Sequence, residues 1–133
     1  MFINFKDSWM NWLKTLWRNN TEKGQYYEIK AESFLKGHGL KPITRNYWCK
    51  LGEIDLIMLD KDTVVFIEVK YRKSQQYGGA LHALTFAKKT KLKKAIQHYI
   101  KHHQLQNNAL RVDFIAINGQ NPYQFNWIKN VLS

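Results

Sequence analysis

Four charged residues, Glu53, Asp55, Glu68 and Lys70, interrupt the most hydrophobic stretch of the chain, LGEIDLIMLDKDTVVFIEVKYR at residues 51–72. Its period-two alternation reads as two strands around a tight turn. With Lys61 and Asp62 as the two turn residues, Asp60 pairs with Thr63, Asp55 falls opposite Glu68, and Glu53 falls opposite Lys70. All four charges then share one face near the open end of the hairpin, a face continued by Ile57 with Phe66 and Leu59 with Val64. The other face, Ile54, Leu56, Met58, Val65, Ile67, Val69 and Tyr71, is wholly apolar, so the pair is expected at the centre of a sheet. Lys-Asp is not a favoured turn dipeptide, but a three-residue loop would set Asp55 against Ile67 and spoil the apolar match.

Two opposed carboxylates on a half-buried sheet repel each other, and each costs free energy to desolvate. Two readings follow. In one, Lys70 compensates the acids within an ion cluster that only holds the sheet together. In the other, Asp55 and Glu68 are oxygen ligands for a hard dication, Mg²⁺ or Mn²⁺, with the backbone carbonyl of Val69 facing the same site. The second is preferred, because apolar residues would replace a purely structural cluster at no cost. Such a cation polarises a phosphate and lowers the pKa of a water. Lys70 beside it would offset charge growing on the phosphate rather than act as a base, since an ammonium next to two acids keeps its proton.

The elements that must position these groups are legible from periodicity. Thr21 is a candidate N-cap for a helix running through EKGQYYEIKAESFLKGHG to a stop at Gly39, with Tyr27, Ala31, Phe34 and Leu35 as its inward stripe and Glu28 near one edge of it. KPITRNYWCK reads as a strand preceding the hairpin, and RKSQQYGG as a loop after it. Leu84, Ala87, Leu92, Ala95, Ile96, Tyr99 and Ile100 mark a long helix to about Gln104; residues 110–117 form a further strand, and YQFNWIKNVL a short terminal strand or strand and turn. The order gives an α/β domain over residues 21–133 with a mixed central sheet flanked by helices. Residues 1–20 precede it as an amphipathic helical extension, with Trp9, Trp12, Leu13, Leu16 and Trp17 at helical spacing.

The chain has 133 residues and a formal net charge of +11, from 21 Lys and Arg against 10 Asp and Glu, which favours polyanionic partners. One cysteine, Cys49, excludes an intramolecular disulfide and a four-cysteine metal site, and points to a reducing, cytoplasmic compartment. No apolar run reaches the roughly 18 residues of a membrane span, and the N-terminal stretch is unlike a secretory signal, so a membrane is not an expected partner. Phosphate-binding Gly loops, dinucleotide fingerprints and serine elbows are missing, and no small-molecule cofactor is expected. His98 and His102 are one helical turn apart but lack a matching thiol or carboxylate, so they read as basic surface rather than a zinc site.

Asp55, the Lys61-Asp62 turn and Glu68-Val69-Lys70 resemble the Asp and Glu-x-Lys pattern of the restriction-endonuclease-like superfamily. More closely, GQYYEIKAESFLKGHGL, RNYW, GEIDLI, VFIEVKYRKS, YGGA and RVDFIAI resemble, in order, the bacterial YraN family, itself similar to archaeal Holliday-junction resolvases. The chain departs from the family pattern at Tyr27 and Leu51, where relatives commonly carry glycine. The resemblance implies a restriction-endonuclease-like fold and a Mg²⁺- or Mn²⁺-dependent endonuclease acting on DNA, branched or structured DNA in particular. It adds Glu28 to Asp55 and Glu68 as a third acidic group, with Lys70 as the catalytic cation, and by analogy with resolvases it implies a homodimer.

Arg45, Lys50, Arg72 and Lys73 flank the strand ends and are candidates to touch a nucleic-acid backbone, as are Lys88 and Lys89 on the long helix; Gln76 and Tyr77 could contact a strand or stack on a base. A non-catalytic nucleic-acid-binding module with the same fold is the alternative function, and a protein docking through its Trp-rich helix is a third.

Overall fold

The computed structural model describes residues 22–73 and 84–132. The N-terminal extension, the Thr21 cap, and Gln76 and Tyr77 lie outside the described residues. Helix α1 covers residues 22–36. Its C-terminus closes as a Schellman motif: the Leu40 N–H donates to the Leu35 carbonyl at 3.1 Å and the Gly39 N–H to the Lys36 carbonyl at 3.0 Å. Gly39 takes the left-handed conformation this needs, at φ 94°.

Strands β1 (Lys41–Cys49), β2 (Gly52–Asp60) and β3 (Thr63–Arg72) follow, then helix α2 (Phe86–His102), β4 (Ala109–Gly119) and β5 (Tyr123–Ile128). The five strands form one sheet in the order β1-β2-β3-β4-β5, antiparallel except for the parallel β3–β4 pair, which α2 connects. The architecture is therefore mixed α/β, with a five-stranded sheet and two helices among the described residues. No helix among them is long and apolar enough to cross a membrane.

The helices cover opposite faces. Ala31 and Leu35 of α1 pack on Leu56, Met58, Val65, Ile67, Ile115 and Ile117; Leu92, Ala95, Ile96 and Tyr99 of α2 pack on Ile54, Ile57, Val64 and Phe66. Alternate residues of β3 thus feed two separate cores, as a central strand requires. Thr85 caps α2, its hydroxyl accepting from the Lys88 N–H at 3.3 Å. Ala87, expected on the apolar stripe, is exposed in the first turn of α2, where the buried stripe begins only at Leu92.

The expected hairpin register holds from Asp60↔Thr63 to Leu56↔Ile67, with Lys61 in the turn at φ 55°. Beyond it one expectation fails. Ile54 belongs to the α2-side core while Leu56 belongs to the α1 side, so alternation breaks at Asp55. The break lies across from Asn46, whose φ is 55°, between the pairs Arg45↔Leu56 and Tyr47↔Ile54. A left-handed residue in one strand reverses which side its successors face, and β2 follows its partner.

At the opposite side of the sheet, Asp113 is fully buried but saturated with donors. It accepts from Arg111 Nε at 2.9 Å, Trp127 Nε1 at 2.9 Å and the Asn130 N–H at 3.0 Å, and Arg111 reaches on to Asp60 at 3.0 Å. Asp113 thus ties β4, β5 and the hairpin turn together. Removing it strands the Trp127 Nε1 and Asn130 N–H donors and leaves the partly buried Arg111 with Asp60 alone, which costs about 3 kcal/mol. Urea unfolding of Asp113→Ala is expected to show a loss of that size, and of Asp60→Ala, whose carboxylate is partly exposed, a loss of about 1 kcal/mol or less.

Candidate functional site

The β2–β3 ladder stops where the charges begin. Past Leu56↔Ile67, β2 remains paired with β1 and β3 with β4, so the two central strands part. Asp55 bridges the fork: its Oδ2 accepts the Val69 N–H at 2.8 Å, taking the place of a ladder carbonyl. The N–H and C=O of one strand residue point to the same edge, so the Val69 carbonyl faces the fork as well.

Glu28 descends on this gap from α1. It is 6% exposed, and its Oε2 is buried with no hydrogen-bond partner. An aromatic clamp fixes the helix turn that carries it. Tyr27 stacks on Tyr71 of β3 with ring centroids 3.9 Å apart, and Tyr71 is held in turn by its hydroxyl donating to the Gly119 carbonyl at 2.9 Å. Lys30 sits over the rings of both Tyr26 and Tyr123, 4.9 Å from each centroid.

The tightest carboxylate set is Glu28, Glu53 and Asp55, each offering an oxygen within 4.8 Å of the others. Glu53 was expected opposite Lys70 on the face of Glu68; the break at Asp55 turns it toward α1 and into this set. The sequence signal that marks it is its place two residues before Asp55, a spacing that a regular strand would satisfy equally well. Glu68 lies on the other side of Asp55, within hydrogen-bonding reach of it. Together with Lys23, Gly24, Tyr27, Lys70 and Arg72, these acids line a cleft of about 510 Å³.

Burial, reinforced by neighbouring carboxyls, raises the proton affinity of Glu28, Asp55 and Glu68. Burial, then the charge and hydrogen bond of Asp55, push Glu68 up to about 9, against the opposing pull of Lys70 and Lys88. Burial and the charges of Asp55 and Glu53 raise Glu28 to about 8, with an Asn46 hydrogen bond opposing. Asp55 rises less, to about 6, because the Val69 N–H, Glu68 and Lys70 offset much of its burial. On the cation side, Lys88 is pulled below its ordinary value by partial burial and by Lys70 and Arg72, with Glu68 acting the other way.

The remaining candidates separate. Arg72 lines the cleft, and Lys88 reaches the neighbourhood of Lys70 and Glu68 from α2. Lys50 and Lys73 are exposed at the strand ends. Arg45 is instead paired with Glu32 of α1 at 3.1 Å, and Lys89 lines neither the cleft nor the groove beside it. His98 is half-buried rather than surface, its Nδ1 held by the Tyr47 hydroxyl at 2.6 Å and its ring stacked on His102. All three members of the carboxylate set offer only hard oxygen donors, and the orphaned buried oxygen of Glu28 gains a partner when a dication enters, so these residues fit Mg²⁺ or Mn²⁺.

The chain matches the model described as "Uncharacterised protein family UPF0102" over residues 27–117, a span that contains Glu28 and the whole fork. A UPF0102 protein of Pseudoalteromonas translucida is 49% identical over 122 residues, covering 92% of this chain and 99% of the relative. A UPF0102 protein of Photobacterium profundum is 44% identical over 116 residues, covering 86% and 92%. One from Aeromonas hydrophila is 43% identical over 132 residues, covering 98% and 96%. On the matched span and these identities, the chain belongs to the UPF0102 family, which is the YraN family that its GEIDLI and VFIEVKYR segments resemble.

Proposed function

We propose that the protein is a dication-dependent endonuclease with a restriction-endonuclease-like core, acting on DNA. The observation that carries this reading is the convergence of Glu28, Glu53 and Asp55 at a fork in the sheet, with one buried oxygen unpartnered and Glu68 and Lys70 adjoining. A purely structural cluster would pair its charges, whereas here carboxyl groups meet carboxyl groups. The antiparallel hairpin, the parallel β3–β4 pair and the helix on each face are consistent with the restriction-endonuclease-like architecture.

Glu28, Glu53 and Asp55 would hold the cation, with Glu68 and the Val69 carbonyl at its flank. When bound, Mg²⁺ or Mn²⁺ supplies polarisation of the phosphodiester and acidifies the attacking water. The chain's own groups do the rest. The Val69 N–H fixes the Asp55 carboxylate in the gap. Lys70 meets the charge that grows on the phosphate oxygens. Arg72 and Lys23, on the cleft wall, hold neighbouring phosphates. The Tyr27–Tyr71 stack walls one side and keeps α1, and so Glu28, at its distance. Branched or structured DNA remains the expected substrate class, and a homodimer the expected assembly for paired cuts.

Cleavage of labelled single-stranded, flapped and four-way-junction DNA is expected with Mg²⁺ or Mn²⁺ and is expected to stop in chelator. Asp55→Asn and Lys70→Met should each lower the rate by about 100-fold or more. Activity that survives in both Asp55→Asn and Glu68→Gln would remove the site from the chemistry, and salt-sensitive DNA binding without cleavage under any metal would leave the non-catalytic binding module.

A second prediction concerns stability. The unfolded chain releases its glutamate protons near 4.5, while the folded, cation-free protein keeps those of Glu28 and Glu68 to about 8 and about 9. Between these values the folded state binds more protons, so its stability falls as pH rises. Thermal unfolding in chelator should therefore show a lower midpoint at pH 8.5 than at pH 5.5. Glu28→Gln should recover part of the loss at the higher pH only. Mn²⁺ should stabilise the wild type increasingly with pH, because its ligands must give up protons, and should not stabilise Asp55→Asn. A flat pH profile for both proteins would contradict the crowding of these acids.

A further inference from the structure

We propose that a groove adjoining the acidic cleft, lined in part by Trp48, seats an unpaired nucleotide of the substrate strand, so that the enzyme prefers DNA carrying a single-stranded segment beside the cut. The inference rests on the nucleic-acid reading above and specifies its substrate.

Trp48 is 72% exposed at the end of the edge strand β1, directly paired with Glu53. A tryptophan ring left to water offers a π-face that neither core uses. With Gly52, Glu53, Glu68, Lys88, Lys91 and Leu92 it lines a groove of about 310 Å³, at the small end of ligand sites. Helix α2 reaches this groove because β2 begins with a glycine. A Cβ on Gly52 would stand 2.8 Å from the Lys91 carbonyl oxygen, so only glycine lets the helix backbone come this close. The close approach brings Lys88 and Lys91 to the groove.

Charge and continuity select the occupant. Glu53 and Glu68 line both the groove and the cleft, so one chain can run through both. Lys23, Lys70 and Arg72 lie on the cleft side and Lys88 and Lys91 on the groove side, which spaces positive charge along a single path past the acids. An apolar protein segment fits poorly among two lysines and two glutamates. A nucleotide meets both features, phosphate to lysine and base to indole. An intact duplex keeps its bases stacked inward and cannot place one on Trp48. An unpaired nucleotide can.

Binding by fluorescence anisotropy in chelator separates these statements from catalysis. The probes are a blunt DNA duplex and the same duplex with a single-stranded extension. Wild type is expected to bind the extended duplex about tenfold more tightly than the blunt one. Trp48→Ala should lose that preference while keeping its affinity for the blunt duplex, and Trp48→Phe should restore it. Trp48 is exposed, so circular dichroism and the thermal midpoint should match wild type. A preference that persists in Trp48→Ala, an equal loss on both probes, or displacement of the oligonucleotide by an acidic peptide at similar concentration overturns the inference. Failure of the wild type to bind either probe overturns the inference, while cleavage in Mg²⁺ that persists in Trp48→Ala leaves the proposed function standing.

Discussion

The hydrogen bond from the Val69 N–H to Asp55 Oδ2 is the constraint around which the site is arranged. Two central strands that part inside a sheet leave backbone donors and acceptors facing a gap, and a buried donor without a partner costs free energy. A carboxylate is the economical filler, since it accepts the stranded N–H with one oxygen and leaves the other available. The parting also opens the sheet to both faces. Glu28 enters from the α1 side, while Glu68, Lys70 and Lys88 stand toward α2. An unbroken ladder would keep these groups on opposite sides of a layer of main chain.

The local geometry of the fork also explains why its acids are poised rather than merely crowded. Asp55 has an amide donor and nearby cations to favour ionisation, whereas Glu28 and Glu68 mostly see burial and other carboxyls. The three environments spread their proton affinities apart, with Asp55 the first to ionise. On the proposed reading, a dication arriving at near-neutral pH would meet Asp55 already charged and would displace protons from Glu28 and Glu68. The energetic cost of bringing these acids together and the affinity for a cation proposed for them would thus be two views of one arrangement. Stability is drawn from elsewhere, from the apolar clusters on the sheet and from the Asp113 network, which satisfies its buried charge with four donors on the far side of the sheet.

Much of the frame was legible in the residues. The hairpin register followed from matching apolar positions, and α2 and the last two strands from their periodicity, because burial on both faces of a sheet imposes patterns that only one register satisfies. The exchange of faces at Asp55 was not legible. It depends on one residue in the neighbouring strand, Asn46, adopting a left-handed conformation, and asparagine does so often enough without consequence that its type carries little warning. Glu53 was misplaced for the same reason. The burial of Glu28 was invisible to periodicity, since it lies beside the inward stripe of α1, and only the family resemblance pointed to it. Arg45 looked free to meet a phosphate until the packing of β1 against α1 gave it Glu32.

On the proposed reading the two helices divide the chemistry between them, and each is held in place by contacts outside the acidic set. On α1, the Tyr27–Tyr71 stack and the Lys30 cation between two tyrosine rings set the height of Glu28 above the fork. On α2, the close approach over Gly52 sets the position of the lysine row against the strand ends. The acid side is built from buried, short-range contacts, as a cation held at fixed distances requires. The basic side is built from long, exposed side chains that can follow a flexible polyanion. Tyr27 belongs to the first kind: its ring supplies the stack on Tyr71 that a smaller residue could not, so the chain secures α1 over the fork through an aromatic contact.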